Sequence, residues 1–180
     1  MSMREFPTHT EDDAPTAARP LLAGTRKQMG FVPIAMARQA ESPAVLQSFF
    51  HLLGVLEKSS LAPLEQEVLA MEMGRVNGCE LCLTIHRARL KQLEASPALI
   101  EALNQGSPIQ TERLEALVGL IRSLLARTGD VDESSWKRFL AAGFTRAQAL
   151  ELVVGIGAYT ISTFANRLVE APVDPQLTAG

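Results

Sequence analysis

Nowhere in this chain does a run of β-branched residues alternate with polar ones, and no Asn-Gly pair joins two such runs into a hairpin. Apolar residues return every three or four positions instead, the spacing of helices that bury one face. Asn77-Gly78 falls between two such patterns and reads as a helix break. The pattern predicts an all-α chain, and 180 residues without a long low-complexity stretch predict a single helical bundle.

Capping residues, proline and glycine set the expected boundaries. A helix is predicted over 16–29 despite Pro20, stopped by Gly30, and "FVPIAMARQAESP" reads as a turn or short helical piece. Pro43 opens a helix over 44–56, Ser60 caps one over 61–76, and Asn77 or Gly78 caps one over 79–93. Pro97 and Pro108 bracket a short segment. Thr111 starts a helix to Arg127, Asp132 caps one ending at Gly143, and Thr145 caps the last, reaching about Leu168. The domain is expected to span 15–170, between a flexible tail at 1–14 and an irregular one at 171–180.

Hydrophobic residues make up 47% of the chain, ample for a core. A net charge of −3 and only 5% aromatic residues supply neither the basic patch nor the stacking surface of a nucleic-acid binder. The polar, acidic start "MSMREFPTHTEDDAP" has no apolar signal-peptide core. The longest uncharged run, 152–166, is too short to span a bilayer and reads as a buried helix. A cytoplasmic protein with no membrane partner is expected. In that compartment a CxxC pair is seldom a structural staple.

Both cysteines lie in "NGCELCLTIHRARL". On a helix, Cys79, Cys82, Leu83, His86, Leu90 and Leu93 share one stripe, while Glu80, Thr84, Arg87 and Lys91 take the other faces. Sulfurs at i and i+3 can meet in a disulfide. The free N–H groups and positive end of a helix dipole lower a thiol pKa. His86, one turn beyond Cys82, is placed to exchange a proton with it. On the preceding helix, Glu65, Glu72 and Arg75 make a polar stripe from which Glu67 stands apart. Its neighbours three and four residues away are Pro63, Leu64, Ala70 and Met71. A carboxylate there needs a partner, and a histidine on the next helix would serve.

Other readings have less support. Structural zinc wants four ligands, usually two pairs, and the chain has one CxxC with His9 and His51 remote in sequence. Covalent haem needs histidine after the second cysteine, and Leu83 stands there. Two inert core thiols are the plainest alternative. His51 lies among apolar residues and His9 in the presumed tail. Gly155 and Gly157 follow no strand and lack a third glycine, so close helix packing is the better reading than nucleotide binding. Tyr159 and Asn166 on the same helix either face a pocket or fill packing. The apolar run around them serves as core or as a subunit seam.

The spacing from Glu67 over eleven residues to Cys79-Glu-Leu-Cys82, then over three to His86, resembles the active-site motif of the alkylhydroperoxidase D-like proteins of the carboxymuconolactone decarboxylase family. "GFVPIAMARQAESPAVL" resembles the entry segment of their peroxidase-related members, and "DVDESSWKRFLAAGFTRAQALELV" their C-terminal half, so the likeness covers roughly 15–170. It implies an all-α homo-oligomer, often a trimer or hexamer, that reduces a small hydroperoxide without a cofactor. In that scheme Glu67 and His86 relay a proton, one thiolate is oxidised to a sulfenic acid, the other condenses with it, and an external dithiol or protein reductant reopens the disulfide. Cys82 is nearer His86 and Cys79 nearer the helix terminus; the choice of attacking thiol leans to Cys82. Leu81 departs from the better-known peroxidases, which carry a second histidine there, so a shorter relay and weaker or shifted turnover are expected. A dithiol–disulfide oxidoreductase and a non-catalytic redox sensor or assembly switch are the alternatives. Muconolactone decarboxylation is disfavoured, because the resemblance implies that members performing it generally lack the cysteine pair.

Overall fold

Nine α-helices and one 3-10 turn make up the regular structure among the described residues, and no strand occurs there. A computed structural model describes residues 5–178. The helices are α1 (Arg19–Met29), α2 (Ile34–Gln39), α3 (Pro43–Leu56), α4 (Pro63–Val76), α5 (Glu80–Gln92), α6 (Pro97–Gln105), α7 (Glu112–Ala126), α8 (Glu133–Ala141) and α9 (Arg146–Leu168).

Local chemistry explains where the starts differ from expectation. The first helix begins at Arg19 rather than 16, which places Pro20 in the first turn, where a missing N–H costs no helical bond. Ser60 does not cap α4. Its N–H and hydroxyl bind Glu151 of α9, and α4 starts at Pro63, where Glu65 reaches back to accept the Ala62 N–H at 2.8 Å. Cys79 is not the first helical residue of α5 but its N-cap.

At the centre lies α4, packed against α5, α6, α7 and α9, with Val68 to Gly74 all buried. The predicted polar stripe on this helix is no solvated face. Glu65 and Glu72 are buried and meet Arg113 and Arg122 of α7. The long α9 crosses α3 and α4. A Cβ on Gly155 would fall 2.2 Å from Leu69, so glycine is what permits that close crossing, whereas Gly157 faces open space. At 23 residues α9 has the length and apolar content to span a membrane, longer than the uncharged run suggested. It is also buried along one face only. Leu152, Ala158, Tyr159, Thr163 and Asn166 point inward, and Leu150, Val153, Phe164 and Leu168 are exposed.

Both presumed tails are anchored over their described residues, and the C-terminal one contains the 3-10 turn, Pro175–Leu177. His9 binds Glu41 and, through its backbone N–H, the Ala37 carbonyl, and Ala14 is buried. Residues 169–178 fold back on α2 as a strap. Arg38 donates to the carbonyls of Val169 and Glu170, and buried Asp174 accepts the Ile34 N–H. Ala171, Val173 and Leu177 then cover the cysteine end of α5.

Candidate functional site

The break that presents the cysteines is made by Gly78, whose φ of +62° is costly for a side-chain-bearing residue. It turns the chain from α4 into α5. Gly74 of α4 lets α5 lie close, since a Cβ there would stand 3.3 Å from the Cys82 Cβ and from Leu83. As N-cap, Cys79 accepts the Cys82 backbone N–H at 3.4 Å, and its sulfur lies 2.6 Å from the Cys82 sulfur. Both thiols are reduced and buried.

Such a pair shares one negative charge, and the surroundings decide where it rests. The bond from the Cys82 thiol draws Cys79 down to about 7. Burial opposes this, while the Cys82 backbone N–H, the Asn166 amide and the Arg167 guanidinium reinforce it. Cys82 is pushed far up by the same bond to Cys79, by burial and by the neighbouring charge. Cys79 therefore holds the charge and Cys82 the proton.

The predicted meeting of Glu67 and His86 occurs. His86 Nδ1–H donates to Glu67 Oε2 at 2.6 Å, with both side chains buried. Arg89 of the next turn stands 3.5 Å from the other carboxylate oxygen. Since Nδ1 is committed, Nε2 is the ring nitrogen left for proton exchange. Tyr159 meets the imidazole edge-on, with ring centres 5.2 Å apart. Burial and the Glu67 charge push its hydroxyl up, so it stays protonated.

A cavity of about 620 Å³ opens onto this group. Cys82, His86 and Arg89 face it from α5, Tyr159, Ser162 and Asn166 from α9, and Phe49, Phe50 and Leu53 from α3, with Met36 and Gln39 behind. Leu81 also lines it and packs with both cysteines under the strap. Cys79 does not line the cavity. The pocket is thus largely apolar, with Cys82 and His86 its reactive groups. His51 lies instead at a separate groove between α3 and α9, and His9 is distant on the surface. Among the described residues no three His, Cys, Asp or Glu side chains converge as a metal site would require.

Asn166 is closer to the chemistry than its sequence context implied. Its amide nitrogen lies 3.3 Å from the Cys82 sulfur and 3.7 Å from that of Cys79, and its oxygen accepts from Gln39 at 2.6 Å. Gln39, from α2, carries no sequence mark of such a role.

Residues 43–123 match the model of the carboxymuconolactone decarboxylase family. No curated protein matches the sequence. Among solved structures the chain is similar to an uncharacterized peroxidase-related protein with an alkylhydroperoxidase AhpD core from Ralstonia eutropha JMP134. The two share 18% identity and a TM-score of 0.81, over 98% of this chain and 95% of that one. A peroxidase-related protein from Silicibacter sp. TM1040 is similar at 18% identity and a TM-score of 0.79, over 99% and 96%. The debrominase Bmp8, solved as a cysteine-to-alanine variant with 2,3,4-tribromopyrrole, is similar at 14% identity and a TM-score of 0.76, over 99% and 95%. At these identities the likeness establishes a common all-α fold.

Proposed function

We propose that this chain, whose residues 43–123 match the model of the carboxymuconolactone decarboxylase family, is a thiol-dependent reductase of organic hydroperoxides. One observation carries the reading: two buried thiols 2.6 Å apart, whose cavity-facing member, Cys82, shares that cavity with the Glu67-bonded His86.

In the proposed reaction Cys82, as thiolate, attacks the terminal oxygen of R–O–O–H. An S–O bond forms, the O–O bond breaks, and the departing alkoxide takes a proton from His86 Nε2 to leave as ROH. Glu67 fixes the imidazole and balances its charge while it carries that proton. The Cys79 thiol then attacks the sulfenic sulfur, the S–S bond forms, and water leaves. An external dithiol restores two electrons and two protons, one to the sulfur pair and one to His86. Apolar walls and Leu81 favour an alkyl or aryl hydroperoxide over hydrogen peroxide, which has no apolar surface to bury.

The same electrons could remove halogen from an aromatic ring: ArBr and two thiols give ArH, bromide, a proton and the disulfide. The Phe49 and Phe50 wall and the fold shared with a debrominase favour this as the second reading.

Rapid mixing of reduced protein with cumene hydroperoxide, hydrogen peroxide and a bromopyrrole separates the cases. The expected result is disulfide formation with cumene hydroperoxide far faster than with a free small-molecule thiol, lost in Cys82→Ser and slowed about 100-fold or more in Glu67→Gln. Bromide release without peroxide reactivity would replace the first reading by the second. Oxidation no faster than a free thiol's by any of the three would sink both.

A further inference from the structure

The sulfur that holds the charge and the sulfur that faces the cavity are different atoms. For Cys82 to react, the proton between them must cross to Cys79, leaving a thiolate on Cys82 and a thiol on Cys79 without changing the total charge. Something must stabilise the charge at both ends of that transfer. Arg167 does not follow it, because its guanidinium is bonded to the Asn77 carbonyl and acts on Cys79 only across space. The backbone N–H of Cys82 serves Cys79 alone.

We infer that Asn166 is a further catalytic residue, its amide bridging both sulfurs so that the negative charge can pass from Cys79 to Cys82, and that Gln39 is the positioning residue that keeps the amide nitrogen, not its oxygen, turned toward them. Among the described residues Asn166 is the one side chain hydrogen-bonded to both sulfurs, at 3.3 Å and 3.7 Å. An amide has two N–H donors, enough for one on each sulfur. Turned over, it would present its oxygen to a thiolate and repel it. The 2.6 Å bond from Gln39 Nε2 to Asn166 Oδ1 opposes that rotation, and both residues are buried. Three separate helices, α2, α5 and α9, meet to make the contact. Ser162, one turn before Asn166, adds a donor to Cys82 only. Gln39 and Asn166 also line the cavity, so the donor that accompanies the charge stands beside any bound substrate.

This assignment concerns the thiols themselves, although the direction of the transfer rests on Cys82 being the attacking sulfur. Its test therefore reads the thiolate before any substrate is added. Reduced wild type, Asn166→Ala, Asn166→Asp and Gln39→Ala are titrated by thiolate absorbance near 240 nm, with iodoacetamide alkylation at pH 7 in parallel. Wild type should titrate one thiolate per chain near 7. Loss of a hydrogen bond to a charged group should raise the midpoint by about one to two pH units in Asn166→Ala. Asn166→Asp, with the same shape but a carboxylate, should raise it further, and Gln39→Ala should raise it less than Asn166→Ala. Alkylation at pH 7 should fall about 5- to 50-fold in Asn166→Ala. A merely structural role would lower the melting temperature and leave the midpoint in place. An unchanged or lowered midpoint in Asn166→Ala, or a wild type with no thiolate near neutral pH, would overturn the inference. If the midpoints move as expected while no variant, wild type included, reacts with hydroperoxide, the substrate reading fails and the Asn166 assignment stands.

Discussion

Of the three carboxylates that helix α4 buries, Glu67 and Glu72 stand five residues apart, and the fold treats them differently. Glu72 is wholly inaccessible and held by two arginines. Arg122 donates from Nε at 2.8 Å and from a terminal nitrogen at 3.2 Å, and Arg75 donates from Nε at 3.2 Å and again from its terminal nitrogen. Glu67 is held mainly by one histidine, and that histidine faces a cavity. Guanidinium groups do not give up protons in proteins, so the Glu72 cluster has no proton to exchange. An imidazole can take up and give back a proton at its second ring nitrogen, so the Glu67 pair can pass one on. Burial of charge is common to both. What separates a tie from a candidate relay is a titratable partner beside open space.

The largest expected effect lies at the tie. Glu72→Ala leaves two guanidinium groups facing a buried gap, and losing one partner of such a cluster costs about 3–5 kcal/mol. Denaturant unfolding should show that loss, while thiol oxidation by hydroperoxide in the folded fraction should stay near the wild-type rate. Glu67→Gln should show the reverse pattern, with stability within about 1 kcal/mol of wild type and the oxidation rate depressed. Equal stability losses in the two variants would erase the distinction.

Acid sharpens the same contrast. Burial alone would raise the Glu72 carboxyl, but Arg122 and then Arg75 hold it below the usual 4.5. A carboxyl with a lower pKa folded than unfolded contributes stability that is fully present above about pH 4.5 and is lost as pH falls toward its folded value. Wild type should therefore lose stability below pH 4.5 more steeply than Glu72→Gln. Parallel acid limbs for the two would show that the arginines do not act through this carboxyl.

The site was partly legible because its central pieces are local. The CxxC spacing, the histidine one turn on, and the isolation of Glu67 among Pro63, Leu64, Ala70 and Met71 all lie within two consecutive helices. Cys79 was misplaced by one residue because glycine and asparagine are stronger N-cap signals than cysteine, yet it is the cysteine sulfur that accepts the Cys82 N–H. Gln39 and Asn166 stand 127 residues apart, and no spacing rule reaches across helices that meet only after folding. The strap was hidden for another reason. Over its described residues "EAPVDPQLTAG" is irregular apart from the 3-10 turn, but irregular backbone can still be packed when Val173 and Leu177 find an apolar surface and Asp174 finds the unpaired N–H of Ile34. The burial of Glu65 and Glu72 was out of reach for a similar reason, since Arg113 and Arg122 come from α7.

The smallest effect expected is at Arg89, and it tests whether the Glu67–His86 pair stands alone. Both carboxylates have an arginine, but the two contacts differ. Arg122 meets Glu72 at 2.8 Å and also donates to the Gly106 carbonyl, so it is fixed at both ends. Arg89 reaches Glu67 only at 3.5 Å, with its side chain 45% exposed, where water and salt screen the pair. Arg89→Ala should therefore cost under about 1 kcal/mol of stability and change the oxidation rate by no more than about threefold. Arg122→Ala should cost more stability, because it strips a buried carboxylate of its closest Nε donor. An oxidation rate in Arg89→Ala as low as in Glu67→Gln would break the comparison. Glu67 would then depend on a permanent cation, as Glu72 does, and His86 would not suffice to hold it in place.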